Sequence, residues 1–245
     1  MTASIILCLG VAFVGLQIWQ DRTQYPAFKA MTATCERQRM YRFWVVDSFV
    51  RYGLLGLAGL YLLGSSRSLL AMPAELITAV RETTSIHHIE SDALRSLGMG
   101  FLVGTLIVGL AAGLLPLIAR KRGIAPPVIG DIAALIPRTR TEVYWGALLS
   151  VNAGVVEEVF FRLLLPLAWY AVTRDIVIAF VASALMFGLV HAYQGFVGVI
   201  ATTMVGLMLT LVYLATRQIW VAMLLHAVID LRAMVLMPLL RGAPK

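Results

Sequence analysis

The stretch IVIAFVASALMFGLV, residues 176–190, contains one hydroxyl, that of Ser183, and no charged side chain. A helix on the surface of a water-soluble protein needs a polar face that repeats about every 3.6 residues, and this stretch has none. Apolar runs of this kind recur along the chain, which is 60% hydrophobic and only 13% charged, with a mean hydropathy of +0.86. This composition excludes an ordinary soluble domain and predicts a polytopic membrane protein.

Seven apolar runs approach the length of about 20 residues that a helix needs to cross a bilayer. They cover residues 3–19, 43–64, 97–119, 148–171, 175–192, 195–215 and 218–240. We therefore predict an all-α, polytopic transmembrane helical bundle with about seven spans (six to eight), forming a single integral-membrane domain over residues 1–245. A short amphipathic helix is expected to start at Pro73 and to lie at the membrane interface.

The net charge of +7 comes from basic side chains beside the apolar runs, and no DNA-binding motif accompanies them. Lipid headgroups and membrane topology explain such charges, so we expect the lipid bilayer as a partner and no nucleic acid. The basic segments 20–42 and 120–142 predict, by the positive-inside rule, an N-terminus outside and a cytosolic C-terminus. The short loops and small size suggest a prokaryotic inner (plasma) membrane.

The two cysteines are not expected to form a disulfide. Cys8 lies in the first apolar run, and Cys35 is assigned to a polar loop that follows it. A residue inside a membrane span and a residue in a loop are not expected to come within the short Cα separation that a disulfide requires.

The stretch VVEEVFFR, residues 155–162, places three ionisable groups inside an apolar run. Such groups are costly at membrane depth, so they usually face the interior of a bundle and pair with one another. Glu158 and Arg162 are four residues apart and can form an ion pair along one helix face. Glu157 is rotated by about 100° from Glu158 and has fewer local partners, which makes it the better candidate for proton transfer.

Two later runs also contain polar residues. His191 ends one apolar run, with Phe187 one turn before it, and His226 and Asp230 lie four residues apart in the last run. A carboxylate one turn from an imidazole can fix its orientation or favour its protonated form. Helical rise brings these residues and Glu157 to a similar depth, in the middle or the cytosolic half of the bilayer. We therefore expect a polar site inside the last four spans.

These residues resemble the motifs of the CAAX prenyl endopeptidase and bacteriocin-processing (CPBP or Abi) family of intramembrane proteases. The family pattern is EExxxR, then FxxxH, then HxxxN or HxxxD, and this chain reads EEVFFR at 157–162, FGLVH at 187–191 and HAVID at 226–230. The resemblance covers roughly residues 142–238 and implies a catalytic core there. The residues before this core contain no motif of the family.

The chain departs from the family pattern at two positions. Leu163 replaces a common glycine after the arginine, and Pro166 is expected to bend or end the helix nearby. Asp230 stands where the CAAX-processing enzymes have asparagine. An ionised aspartate cannot donate a hydrogen bond to an oxyanion, so His226 is expected to be the donor, with Asp230 orienting it or keeping it protonated.

The resemblance implies an intramembrane endopeptidase in which Glu157 activates a water molecule, His191 positions that water and His226 stabilises the oxyanion. Glu158 and Arg162 are expected to support the site. No serine or cysteine lies in the motifs as a nucleophile. We expect no metal or other cofactor, although the family is often labelled metalloprotease, and Glu157, His191 and His226 are the three ligands that a zinc ion would use.

The substrate class implied is a membrane-anchored or lipid-associated protein or peptide. It includes prenylated CAAX proteins, bacteriocin or signalling-peptide precursors, and proteins whose C-terminal membrane tails are removed during sorting. Two other functions remain open at this stage. Buried Glu, His and Asp residues also serve proton- or ion-coupled transporters. A non-catalytic membrane scaffold of the same fold is the third reading.

Overall fold

The computed structural model describes residues 1–86, 92–105, 107 and 130–240, and these parts of the chain contain helices and no strands. We number eight helices: α1 (Thr2–Ala30), α2 (Thr34–Leu62), α3 (Ala74–Ile86), α4 (92–105), α5 (Arg140–Glu158, continued through Val159–Leu164 into Leu165–Thr173), α6 (Ile176–Leu189), α7 (Gly195–Thr216) and α8 (Ile219–Leu231, continued through Arg232–Leu236 into Met237–Leu240). The predicted all-α fold is confirmed.

The observed helices agree with the predicted spans in the later part of the chain and differ near its start. Helix α1 continues past residue 19 to Ala30, and α2 begins at Thr34, so most of segment 20–42 is helical rather than loop. The assignment of Cys35 to a loop was therefore wrong, because it lies in the first turn of α2. Both cysteines are free and exposed. Most of the predicted span 97–119 lies outside the described residues.

Four of the described helices are long and apolar enough to cross a membrane: Thr2–Ala30, Thr34–Leu62, Ala192–Thr216 and Ile219–Leu239. Helix α6 is shorter but equally apolar. Its outer face is a stripe of exposed apolar side chains at helical spacing, Val177, Val181, Leu185 and Leu189. A helix that exposes apolar side chains while its opposite face is buried is suited to lipid rather than water. The chain is an integral membrane protein.

Helix α5 is the central helix of the bundle, and glycines let its neighbours approach closely. A Cβ atom at Gly53 of α2 would lie 3.1 Å from Val156 Cγ1 of α5, and one at Gly154 of α5 would lie 2.7 Å from the backbone nitrogen of Ala227 in α8. Small residues at such crossings allow helix backbones to pack against each other in membranes. The helices that carry the predicted motifs are therefore in direct contact.

Three of the described helices widen into a π-helical turn, α2 at Phe49–Leu54, α5 at Val159–Leu164 and α8 at Arg232–Leu236. The turns of α2 and α5 contact each other. The sequence predicts that Pro166 bends or ends the helix. Pro166 follows the π-helical turn of α5 and does not end the helix, which continues to Thr173. Leu163, which replaces the common glycine, is fully buried in the core.

A buried polar cluster fixes the N-terminal end of α5 to α2. Glu142 lies 3.2 Å from Arg37 Nε, and both side chains are inaccessible to solvent. Arg37 also donates to the backbone oxygens of Ala134 and Ile136, at 2.9 and 3.3 Å. Because a buried ion pair needs such additional hydrogen bonds, the cluster holds the segment before α5 against α2.

The amphipathic helix expected after Pro73 is present as α3, Ala74–Ile86. Its residues Leu76 and Ala79 are buried against the bundle, and Glu75 lies in its first turn. No membrane is part of the structure, so its interfacial position remains a prediction.

Candidate active site

The ion pair expected from the spacing of Glu158 and Arg162 is present. Arg162 Nη1 lies 3.1 Å from Glu158 Oε1, and both side chains are buried. The guanidinium also lies over the ring of Phe187, with 4.2 Å between Cζ and the ring centroid. This contact joins α5 to α6, because a cation over an aromatic face is an attractive arrangement.

Glu158 has a second partner that the sequence did not reveal. The same Oε1 atom lies 2.8 Å from Nδ1 of His226, across the contact between α5 and α8. A carboxylate only accepts unless it is protonated, so His226 Nδ1 is the donor of this bond. Asp230 Oδ2 is farther away, at 3.7 Å from Nε2. The carboxylate that orients His226 is therefore Glu158, whereas the sequence suggested Asp230.

His191 lies just beyond the last turn of α6, where its orientation is set by the backbone. Its Nδ1 atom lies 2.8 Å from the backbone oxygen of Phe187. Since a carbonyl oxygen can only accept, Nδ1 carries a proton, and in the neutral imidazole Nε2 is left as an acceptor. The Phe187 ring packs against both histidines, with centroid distances of 4.9 Å to His191 and 5.6 Å to His226.

Glu157 differs from its neighbour in that neither of its carboxylate oxygens has a hydrogen-bond partner among the described residues. The Oε2 atoms of both glutamates are buried without a partner, but Oε1 of Glu158 contacts Arg162 and His226. A buried carboxylate oxygen without a partner is costly to leave in that state unless water or a ligand satisfies it. The two adjacent glutamates thus lie in different surroundings, as the helical rotation predicted.

A cavity of about 220 Å³ brings several of the predicted residues together. Glu157, His191 and Asp230 line it, whereas His226 lies behind its wall and is only 4% exposed. The motifs on α5, α6 and α8 therefore converge on one place in the fold.

The first two helices complete this cavity with residues that sequence reasoning missed. Helix α1 contributes Gln17, Asp21 and Tyr25, and α2 contributes Trp44, Asp47, Ser48 and Tyr52. The available signal was the occurrence of Asp21 directly after one apolar run and Asp47 inside another, since ionisable residues at membrane depth tend to mark functional sites. They match no motif of the family.

The three residues proposed as zinc ligands do not form a metal site. Both nitrogens of His226 face carboxylates, and Nδ1 of His191 is bonded to the Phe187 carbonyl. Across the ranges that the structure describes, no three His, Cys, Asp or Glu side chains are grouped as metal ligands. The residues do not fit a three-ligand zinc centre, so the metalloprotease label is not supported.

Comparison with known proteins gives one match. No curated protein and no solved structure is significantly similar to the chain. The matching family is described as type II CAAX prenyl endopeptidase Rce1-like, and the match extends from the residue before α5 to the first residue after Leu231. The resemblance predicted from the three motifs is thus confirmed, and it covers residues 139–232, which are similar to this family.

Proposed function

We propose that the protein is an intramembrane endopeptidase that hydrolyses a peptide bond of a membrane-associated protein or peptide. The matched family is described as an endopeptidase, and the three motif-bearing helices meet at one cavity. A cavity that combines apolar walls with a few converging titratable groups is the usual form of an enzyme site.

The observation that carries the proposal is the division of labour between the two glutamates. Glu158 Oε1 is occupied by Arg162 and His226, whereas Glu157 lines the cavity and neither of its carboxylate oxygens has a hydrogen-bond partner among the described residues. A general base must be within reach of the proton that it removes. Glu157 meets this requirement for a water molecule in the cavity, and Glu158 is the positioning residue.

His191 supports the same reaction through its fixed tautomer. With Nδ1 donating to the Phe187 carbonyl, Nε2 is free to accept a hydrogen bond. A water molecule that donates one proton to Nε2 and the other to Glu157 is oriented with a lone pair free for attack. We assign His191 to this positioning of the nucleophile.

The reaction then proceeds with Glu157 moving a single proton. Its carboxylate accepts a proton from water, and the hydroxide oxygen forms a bond to the carbonyl carbon of the scissile peptide. The resulting tetrahedral oxyanion collapses, the C–N bond breaks, and Glu157 returns the proton to the leaving amine. No acyl-enzyme is formed, since the motifs contain neither serine nor cysteine.

His226 is assigned to the oxyanion, with its Nε2 atom as the donor. This atom faces Asp230 at the cavity wall, and Nδ1 on the other side of the ring donates to Glu158. Two carboxylates at opposite edges of an imidazole favour its doubly protonated form, in which Nε2 has a proton to donate. Asp230 lies 3.7 Å from Nε2, beyond hydrogen-bonding distance, so the Nε2–H is available when the oxyanion develops.

The proposed substrate is anchored in the membrane, because the cavity lies inside a bundle whose outer face is apolar. The name of the matched family refers to prenylated CAAX sequences. For this chain we propose the broader class of membrane-anchored or lipid-modified proteins and peptides.

The test compares membranes from cells that make the wild-type protein with membranes from cells that make Glu157→Gln or His191→Ala. New protein termini are identified by mass spectrometry, so the substrate need not be known in advance. We expect at least one new terminus that the wild type produces and both variants lack. If the variants are folded and the three sets of termini are identical, the proposed function is wrong.

A further inference from the structure

The cavity has a second potential donor for the oxyanion, on a helix outside the segment that matches the family. Asp230 cannot donate in its ionised form, and His226 lies behind the cavity wall. Oxyanion sites generally combine more than one hydrogen-bond donor. The hydroxyl groups that line the cavity are therefore of interest.

Most of these hydroxyl groups are already used inside the protein. Ser48 donates to the backbone oxygen of Trp44 at 2.7 Å, Ser150 donates to that of Gly146 at 2.9 Å, and Tyr25 donates to that of Asp131. A donor that is committed to a backbone carbonyl must break that bond before it can serve a substrate. These three groups are poor candidates.

Tyr52 of α2 differs from them because its hydroxyl has no hydrogen-bond partner among the described residues. The residue lines the cavity and is 6% exposed. The partnerless hydroxyl oxygen of Tyr213 is buried, whereas that of Tyr52 is not. The Tyr52 oxygen is therefore open to the cavity. A tyrosine in an apolar core usually directs its hydroxyl to a polar partner.

The ring of Tyr52 is held firmly. Phe13, Phe160 and Phe161 surround it, with ring centroids 5.3, 5.4 and 5.5 Å away. Such contacts fix the direction of the hydroxyl before substrate binds, and fixed donors are those that stabilise a developing charge most effectively.

The backbone next to Tyr52 lies against the side chain of the residue before Glu157. Gly53 follows Tyr52, Val156 precedes Glu157, and a Cβ atom at Gly53 would be only 3.1 Å from Val156 Cγ1. Tyr52 also belongs to the π-helical turn of α2, which contacts the π-helical turn of α5 that contains Arg162. Turns of this kind often occur at functional sites.

We propose that Tyr52 is a catalytic residue whose phenolic O–H donates a hydrogen bond to the oxyanion of the tetrahedral intermediate. This assignment rests on the proposed peptidase function. The hydroxyl keeps its proton throughout, so it adds stabilisation of charge without changing the proton balance of the reaction. It also gives α2 a chemical role, although the family match begins at residue 139.

The experiment uses the full-length protein in liposomes and, as substrate, the membrane peptide whose cleavage is lost in Glu157→Gln. Tyr52→Phe keeps the ring and its three aromatic contacts and removes only the hydroxyl. We expect kcat to fall by about 10²–10³-fold, the usual effect of losing one oxyanion donor, with little change in KM.

Tyr213→Phe is the matched control, because Tyr213 is a buried tyrosine that does not line the cavity and whose hydroxyl has no partner within the described ranges. We expect it to retain wild-type kcat. A Tyr52→Phe protein that is as stable as the control and has a kcat near the wild-type value would overturn the role of Tyr52. Tyr193 also lines the cavity, and its hydroxyl accepts a hydrogen bond from Gln194 but donates to no group among the described residues. A loss of kcat in Tyr193→Phe and not in Tyr52→Phe would therefore also overturn the role of Tyr52.

The two proposals fail in distinguishable ways. Wild-type cleavage by folded Glu157→Gln refutes the peptidase mechanism. Loss of cleavage in Glu157→Gln together with normal kcat in Tyr52→Phe refutes only the role of Tyr52.

Discussion

Removing the charge of Arg162 should destabilise the protein far more than removing both charges of its ion pair. Arg162→Met replaces the guanidinium by an apolar side chain of similar length and leaves the Glu158 carboxylate in the core. The double variant Glu158→Gln, Arg162→Met removes both charges. The comparison isolates the interaction between the Glu158 and Arg162 side chains in α5.

The expected magnitude follows from burial. Arg162 and Glu158 have side-chain exposures of 1% and 0%, and their closest atoms are 3.1 Å apart. Breaking a buried pair by removing one partner typically costs about 3–5 kcal/mol, mainly because the remaining charge has lost its compensation. The contact of Glu158 with His226 remains in Arg162→Met, so we expect about 3 kcal/mol, the lower end of that range.

The assay is a double-mutant cycle on the protein in detergent micelles, with unfolding by sodium dodecyl sulfate followed by circular dichroism. The control pair is Lys29 and Asp131, whose side chains are 40% and 50% exposed although their atoms are only 2.6 Å apart. Exposed pairs contribute at most about 1 kcal/mol. The coupling energy of Glu158 and Arg162 should exceed that of the control pair by about 2 kcal/mol or more.

Additive effects would refute this reasoning. If the double variant loses the sum of the two single losses to within about 0.5 kcal/mol, the two residues behave as independent sites. The contact seen between them would then not contribute to the free energy of unfolding.

Two further predictions concern α8. Gly154→Ala should reduce both cleavage and stability, the latter by about 1–3 kcal/mol, because the new Cβ would lie 2.7 Å from the Ala227 nitrogen and push α8 away. Gly15→Ala, which has open space around it, should change stability by no more than about 1 kcal/mol. Equal losses of stability in unfolding titrations of the two variants would contradict the packing argument. Asp230→Asn should keep kcat within about tenfold of the wild type, since Asp230 lies 3.7 Å from His226 Nε2, beyond hydrogen-bonding distance. Glu158→Gln should lower kcat more, because Glu158 accepts the hydrogen bond of His226 Nδ1. A larger loss in Asp230→Asn than in Glu158→Gln would show that Asp230 orients the imidazole.

Sequence alone predicted the class of fold and the convergence of the three motifs because both depend on local patterns. Apolar runs report membrane spans directly, and the four-residue spacing of Glu158 and Arg162 requires only helical geometry. Near the N-terminus the same reasoning failed, since polar side chains in segment 20–42 suggested loop. That segment is mostly helical, and α2 buries Arg37 there against Glu142, which lies 105 residues away in the sequence.

The contact of Glu158 with His226 could not be predicted, because it depends on how closely α5 and α8 pack. Gly154 is the residue that permits this approach, yet a glycine in a membrane helix has many possible neighbours. The walls of the cavity supplied by α1 and α2 were missed for a similar reason. Tyr52 reads in the sequence as one more aromatic residue of an apolar run, and only the contact of α2 with α5 places it beside the candidate site.

The central claim is that Glu157, rather than Glu158, activates the attacking water, and single-turnover cleavage by Glu157→Gln tests it most directly. The variant is reconstituted in liposomes, with folding verified by circular dichroism, and its rate is compared with that of the wild type on the same membrane peptide. We expect the rate to fall by about 10²–10⁴-fold, the contribution usual for a general base. Cleavage by folded Glu157→Gln at the wild-type rate would contradict the claim.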